Sequence, residues 1–277
     1  MASAIGKEGT FQAPQEPQAQ QKPGEATKLE SSGTFVEYVG SGKLKDKKVL
    51  ITGGDSGIGR SVAALMAREG ADVTISYLPE EQEDAEETKK LVEAENRTCL
   101  LFPGDLSNRE TCRQAVEEHM KKFKKLNVLV NNASKQYMCK DLAQIDLDQV
   151  EHVFQTNIIQ MFALSKFALP HLSRGDSGTS GMVDYAATKG AIVGFTRSLA
   201  KQLMPKGIRV NAVAPGPVYT PIQVDTRAPE EMEDFGAGSS IGRPGQPSEV
   251  ATSFVFLASS DASLYYGQIL HCYPLGD

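Results

Sequence analysis

No run of about 18 apolar residues occurs in this sequence, so no segment is expected to cross a membrane as a helix. The opening stretch MASAIGKEGTFQAPQEPQAQQ lacks the apolar core of a secretion signal and has too few arginines for a transit peptide. Cysteine is sparse: Cys99, Cys112, Cys139 and Cys272 are scattered and no two form a CxxC pair. That pattern suits reduced, idle thiols and a cytoplasmic protein better than a disulfide framework. The four histidines, His119, His152, His171 and His271, show no HExxH or other ligand spacing, so no metal site is expected. Positive charge is not in excess either. A net charge of −6 and a pI near 5.4 argue against nucleic acid as a partner.

What is present divides into two parts. Residues 1–42 are rich in Gln, Pro, Glu and Gly and hold few large apolar side chains. They cannot bury enough surface to offset chain entropy, so they are expected to form a disordered tail. Residues 43–277 are expected to form one domain. There the pattern alternates: KKVLITGG, ADVTISYL, CLLFPGDL, LNVLVNNAS, IRVNAVAPGPV and YGQILHCY read as strands. Helical stretches separate them, the longest being VEHVFQTNIIQMFALSKFALPHL and AATKGAIVGFTRSLAKQLMPKGI. Apolar strands alternating with helices of this length predict an α/β, Rossmann-type doubly wound parallel sheet.

Directly after the first strand stands TGGDSGIG, with glycines at Gly53, Gly57 and Gly59 and a helix behind them. Glycine allows a tight turn and a close approach of backbone N–H groups to phosphate, and the helix N-terminus favours negative charge. Placed at the head of a βαβ unit, the loop reads as a dinucleotide site. The end of the second strand, Ser76-Tyr77-Leu78, carries neither the acid that binds a ribose diol nor an Arg for a 2′-phosphate, and Ser56 in the loop is no cation. NAD and NADP both stay open, with a slight lean to NAD. Glu80 and Glu81 lie just beyond and read as a solvated helix start.

Further along come Asp105-Leu106, Asn131-Asn132-Ala133, Tyr185-x3-Lys189 and Pro215-Gly216, in that order. With the glycine loop, this set resembles the short-chain dehydrogenase/reductase family from about Lys45 onward. TGGDSGIGR, ISYLPEEQEDA and DYAATKGAI resemble its glucose/ribitol dehydrogenase branch. The resemblance implies that Gly53, Ser56, Gly57, Ile58 and Gly59 line the pyrophosphate and its ribose, and that Asp105 and Leu106 flank the adenine. It implies that Asn131 and Ala133 support the cofactor, and that Pro215, Gly216, Val218 and Thr220 hold the nicotinamide end. Tyr185 would be the general acid/base, Lys189 its partner, both also in contact with the cofactor, and Asn157 a support for the proton relay. Chemistry agrees: a free tyrosine, with a pKa of about 10, is too weakly acidic to act as a base at neutral pH. A cation four residues along the same helix can lower that pKa. The pair could then take a proton from an alcohol or give one to a carbonyl. The substrate implied is a polyol, sugar or small carbonyl compound, within carbohydrate metabolism. Residues Pro221 to Gly245 would form a lid over it. The apolar faces near Val153–Phe167 and Ile192–Leu203 would pack between subunits of a homodimer or homotetramer.

One part of the pattern is short. The family carries a serine on the fifth strand, and counting back from Tyr185 by its usual interval reaches Leu172, with Ser173 beside it, before any strand. Ser177 and Ser180 lie nearer the tyrosine, and GDSGTSGMV offers only Met182 and Val183 for a buried strand. The fifth strand is therefore expected to be shortened or missing. Two readings follow: Ser177 or Ser180 substitutes in an impaired enzyme, or the chain is an inactive dinucleotide-binding isoform, a splice or gene-model product. The terminal HCYPLGD, where the family continues into a Gly-rich turn, is expected to favour the second. Cys139, near the expected substrate mouth, reads as a structural thiol.

Overall fold

The computed structural model describes residues 38–137, 144–172, 184–226, 232 and 235–273, with the backbone alone for 184–189 and 226. Among the described residues, six strands alternate with helices. β1 (Lys48–Thr52), β2 (Asp72–Tyr77), β3 (Cys99–Pro103) and β4 (Val128–Val130) are followed by β5 (Ala212–Pro215) and β6 (Ile269–Cys272). The helices are α1 (Gly57–Arg68), α2 (Gln82–Ala94), α3 (Arg109–Phe123), α4 (Leu147–Phe154), α5 (Gln160–Ala168), α6 (Asp184–Leu203), α7 (Pro221–Thr226) and α8 (Pro247–Ala258).

All described strand pairs are parallel. β2 is buried along its whole length and β1 along all but its first residue, because helices cover both faces of the sheet. On one face Val62, Leu65 and Met66 of α1 meet Val250, Phe254 and Val255 of α8 in the main core. The small Ala63, Ala64 and Ala67 keep the α1 surface low on the side turned to the protein interior. On the other face Leu50, Leu129 and Cys112 pack with Val116 of α3 and Leu164 of α5.

The strand order is β3-β2-β1-β4 in one sheet and β5-β6 in a second. A doubly wound fold would run 3-2-1-4-5-6 without interruption. The described strands follow that order except at one place: β5 does not pair with β4. The break lies where the short Gly-rich segment ahead of Tyr185 should supply a strand, and residues 173–183 lie outside the described part. Val128, Leu129, Val130, Ala212 and Val213 are nonetheless all buried. Arg209, itself buried, helps hold the smaller sheet by donating to the carbonyls of Leu257 (2.5 Å) and Ser259 (3.0 Å) at the C-terminal end of α8. Those carbonyls would otherwise lack partners.

The residues just ahead of β1 are anchored. Glu69, fully buried, accepts from the Tyr38 hydroxyl, from Ser41 N at 3.0 Å and from Lys43 N at 2.8 Å. These donors outweigh its burial and hold its carboxyl below the usual range. The long helix expected from the Val150 region to Leu172 is interrupted. α4 passes into a π-turn at Gln155–Ile159 before α5, and the chain leaves through a 3-10 turn at Leu169–His171. Asn157 sits in that π-turn. Among the described residues no helix is long and apolar enough to span a membrane.

Candidate active site

The site gathers at the C-terminal ends of β1, β4 and β5, where a doubly wound sheet offers its crevice. β1 ends in Thr52, and the chain turns through Gly53 at φ 58° and Gly57 at φ 51°, in the left-handed region that glycine adopts without strain. A Cβ on Gly59 would lie 1.9 Å from the Gly53 carbonyl oxygen and 2.7 Å from Asn132 Nδ2. A Cβ on Gly53 would lie 3.0 Å from Ala133 Cα, and one on Gly57 would lie 3.4 Å from Thr220 Cγ2. The glycine loop is therefore in contact with both the β4 loop and the β5 loop. Gly53, Gly57, Gly59, Ala133 and Thr220, singled out separately in the sequence, come together here.

Asn132 is the brace that sequence reasoning passed over. Its Nδ2 donates to the carbonyls of Thr52 and Gly53, each at 2.9 Å. Thr52 Oγ1 in return accepts from Asn132 N at 3.0 Å and Ala133 N at 2.9 Å. Behind the loop, Arg60 Nε donates to the Asp55 carbonyl at 2.8 Å, and Arg60 Nη2 donates to Asp84 Oδ1 at 2.7 Å. The loop is held in its turn by side chains from three elements before any ligand arrives.

The donors of the α1 N-terminus stay available. Ser56 is its N-cap in extended conformation and makes no side-chain cap bond. Asn131 is buried and its Oδ1 has no partner among the described residues; the same holds for Ser76 Oγ at the end of β2. Buried polar atoms without partners carry a cost that a ligand can relieve. A glycine cradle, an uncapped helix start and an orphaned amide oxygen fit a dinucleotide, an anionic ligand with polar edges.

The remaining residues are placed as follows. Ile58 is half-buried against the main core, Leu106 is buried in the α3 core, and Asp105 is exposed with its carboxylate accepting from Ser107 N at 2.8 Å. Pro215 and Gly216 are half-buried, while Val218 and Thr220 are buried. Asn157 closes both of its amide groups on the Lys135 backbone, accepting from its N–H at 2.8 Å and donating to its carbonyl at 2.9 Å. Tyr185 and Lys189 occupy the first two turns of α6, one helical turn apart. Ser173, Ser177, Ser180 and Cys139 fall outside the described residues.

At the expected cofactor discriminator, Tyr77 is buried and its hydroxyl donates to Gln82 Oε1 at 2.6 Å. Glu81, expected to be solvated, is half-buried and accepts from Leu78 N at 3.0 Å. Burial, then the charge of Asp55, pushes its carboxyl up to about 8. Burial likewise pushes Asp55 up to about 6, aided by Asp84 and opposed by a hydrogen bond with Ser56. Two carboxyls in this part of the loop thus titrate near neutrality.

Known proteins resemble this arrangement. The sequence pattern of the family described as enoyl-(acyl carrier protein) reductase matches residues 53–272. An uncharacterized oxidoreductase of Bacillus subtilis is 48% identical over 271 residues, covering 93% of either chain. Glucose and ribitol dehydrogenase of Daucus carota is 42% identical over 250 residues, covering 84% of this chain and 86% of its own. A short-chain dehydrogenase from Burkholderia cenocepacia, crystallised with NADP, superposes with a TM-score of 0.76 at 30% identity, covering 83% of this chain and 98% of its own. A 3-ketoacyl-(acyl carrier protein) reductase from Brucella melitensis, complexed with NADH, gives 0.75 at 26% identity over the same shares.

Proposed function

The chain belongs to the short-chain dehydrogenase/reductase family of NAD(P)-dependent oxidoreductases, and from that premise we propose that it interconverts an alcohol and a carbonyl by hydride transfer with Tyr185 as general acid/base. The observation that carries this is the convergence of Gly53, Gly59, Asn132, Ala133 and Thr220 into one braced cradle. Gly53, Ser56, Gly57, Ile58 and Gly59 would hold the pyrophosphate end, with Asp105 and Leu106 at the adenine. Asn131 and Ala133 would hold the middle, and Pro215, Gly216, Val218 and Thr220 the nicotinamide end. When bound, the nicotinamide supplies or accepts the hydride. Lys189, one turn from Tyr185, stabilises the phenolate and lets the tyrosine take or give the proton at its hydroxyl oxygen. Asn157, fixed on Lys135, keeps the π-turn in a single conformation beside that helix. A small polyol, sugar or carbonyl substrate accords with the carrot relative's name.

Neither cofactor is favoured: the solved neighbours hold NADP in one case and NADH in another, which lends no weight to the lean towards NAD. Localisation in the cytoplasm and a homodimer or homotetramer remain part of this proposal. Half-exposed Phe162 stacks edge-on with Phe195 at 4.5 Å, along the two helix faces expected to pack between subunits.

The alternative reading, an isoform that binds dinucleotide with little or no turnover, turns on residues 173–183, which lie outside the described residues, and the similarity to oxidoreductases over most of the chain does not favour it.

The proposal is tested by Tyr185→Phe. Loss of the hydroxyl should lower carbonyl reduction by about 10³-fold, inside the roughly 10²–10⁴ range that a general acid–base group contributes, with the cofactor still bound. Turnover equal to that of the wild type would refute the assigned role. Cofactor binding should also depend on pH. As Asp55 and Glu81 lose protons through the interval of about 6 to about 8, negative charge appears behind the glycine loop and at the ribose end of the site. Affinity measured by nicotinamide fluorescence should fall about three- to ten-fold across that interval, one pKa unit of interaction being about 1.4 kcal/mol. Asp55→Asn should flatten the profile.

A further inference from the structure

Three consecutive residues after β4 reach three different elements. Lys135 is clamped at both backbone groups by Asn157 of the π-turn, at 2.8 and 2.9 Å. Gln136, buried, donates from Nε2 to the Ile222 carbonyl in α7 at 3.1 Å, across 86 positions of sequence. Tyr137 places its hydroxyl 3.5 Å from His152 Nδ1 on α4. α7 follows directly on Thr220, and Val224 packs it against Tyr219, Met232 and Phe235. At the base of this segment Tyr219 N donates to the Gly245 carbonyl at 3.0 Å, and Gly245 N donates to the Pro217 carbonyl at 2.8 Å. The stem of the Pro221–Gly245 segment is thus closed by backbone bonds, whereas α7 is joined to the β4 side by a side chain.

An aliphatic residue of similar size would fill the place of Gln136 without the desolvation that a buried amide incurs. The bond to α7 offsets that cost. We propose that Gln136 is a positioning residue. It holds α7, and with it Thr220, against the loop that Asn157 clamps, so that the placement of α7 and order in the Asn157 turn are coupled. The assignment rests on the reading of this crevice as the active site, but the contact can be tested without cofactor or turnover.

Gln136→Ala removes the donor; Gln136→Glu keeps the size and makes donation depend on protonation. Amide hydrogen exchange of residues 223–226 is compared with the wild type in the cofactor-free protein at pH 8 and pH 5. Both variants should exchange about three- to ten-fold faster at pH 8, as expected for one lost hydrogen bond. At pH 5 Gln136→Glu should return towards wild type, because the protonated acid again donates to Ile222. A purely structural defect would not reverse in this way. Release of NADH or NADPH should quicken by the same factor and show the same pH reversal. Wild-type exchange in Gln136→Glu at both pH values, or equal acceleration at both, overturns the proposal. If Gln136→Ala does not fold, Gln136→Glu alone decides. A chain that binds neither cofactor leaves the exchange result standing and counts against the functional reading instead.

Discussion

Gly59→Ala should abolish dinucleotide binding. The added methyl would stand 1.9 Å from the Gly53 carbonyl oxygen and 2.7 Å from Asn132 Nδ2. Neither neighbour can yield cheaply. The Gly53 carbonyl is backbone in a left-handed turn, and Asn132 Nδ2 is committed to two carbonyls at 2.9 Å. Relief requires the loop to open, which moves the α1 N-terminus away from the turn that would face the pyrophosphate. Affinity for NAD(H) and NADP(H) should fall by about a hundred-fold or more, some 3 kcal/mol. The strain is confined to the loop, so thermal unfolding should shift far less than binding. Wild-type affinity in this variant would mean that the cradle is not the cofactor site.

The second large effect concerns the break in the sheet. Inserting about a dozen apolar residues with one serine ahead of Asp184 should raise turnover by about 10²–10³-fold, the usual contribution of one donor to a developing oxyanion. It should also raise thermal stability, because an apolar strand there can pair with the backbone of both β4 and β5. The same insertion with alanine for the serine separates the two gains: stability should rise and turnover should not. No gain in either quantity would show that the short segment already does what a fifth strand does.

Much of this was legible in the sequence because it is local. Glycine spacing, apolar strand runs and the four-residue interval from Tyr185 to Lys189 are short-range properties, and the helices bounded by them form as expected. α3, Arg109–Phe123, is one of the helical stretches expected between the apolar runs. The expectation for GDSGTSGMV falls outside the described residues. What was not legible depends on partners far away in the chain. Asn132 was part of a motif, but its bonds to Thr52 and Gly53 cross about 80 positions. Gln136 carried no signal until Ile222 stood above it. Glu81 looked solvated in PEEQEDAEE, and only the folded loop brings its carboxyl near buried Asp55. The π-turn at Asn157 was hidden because one extra residue in a helical turn hardly disturbs the apolar period.

The most direct measurement follows deuterium from [4-²H]NADH and [4-²H]NADPH into a panel of sugar aldehydes and small ketones. Hydride transfer with Tyr185 as proton donor predicts deuterium on the new carbinol carbon with wild-type protein, however slowly it forms, and about 10³-fold slower incorporation with Tyr185→Phe. Protein that binds the reduced cofactor saturably yet transfers no deuterium to any carbonyl would contradict the catalytic account and leave a dinucleotide-binding chain in its place.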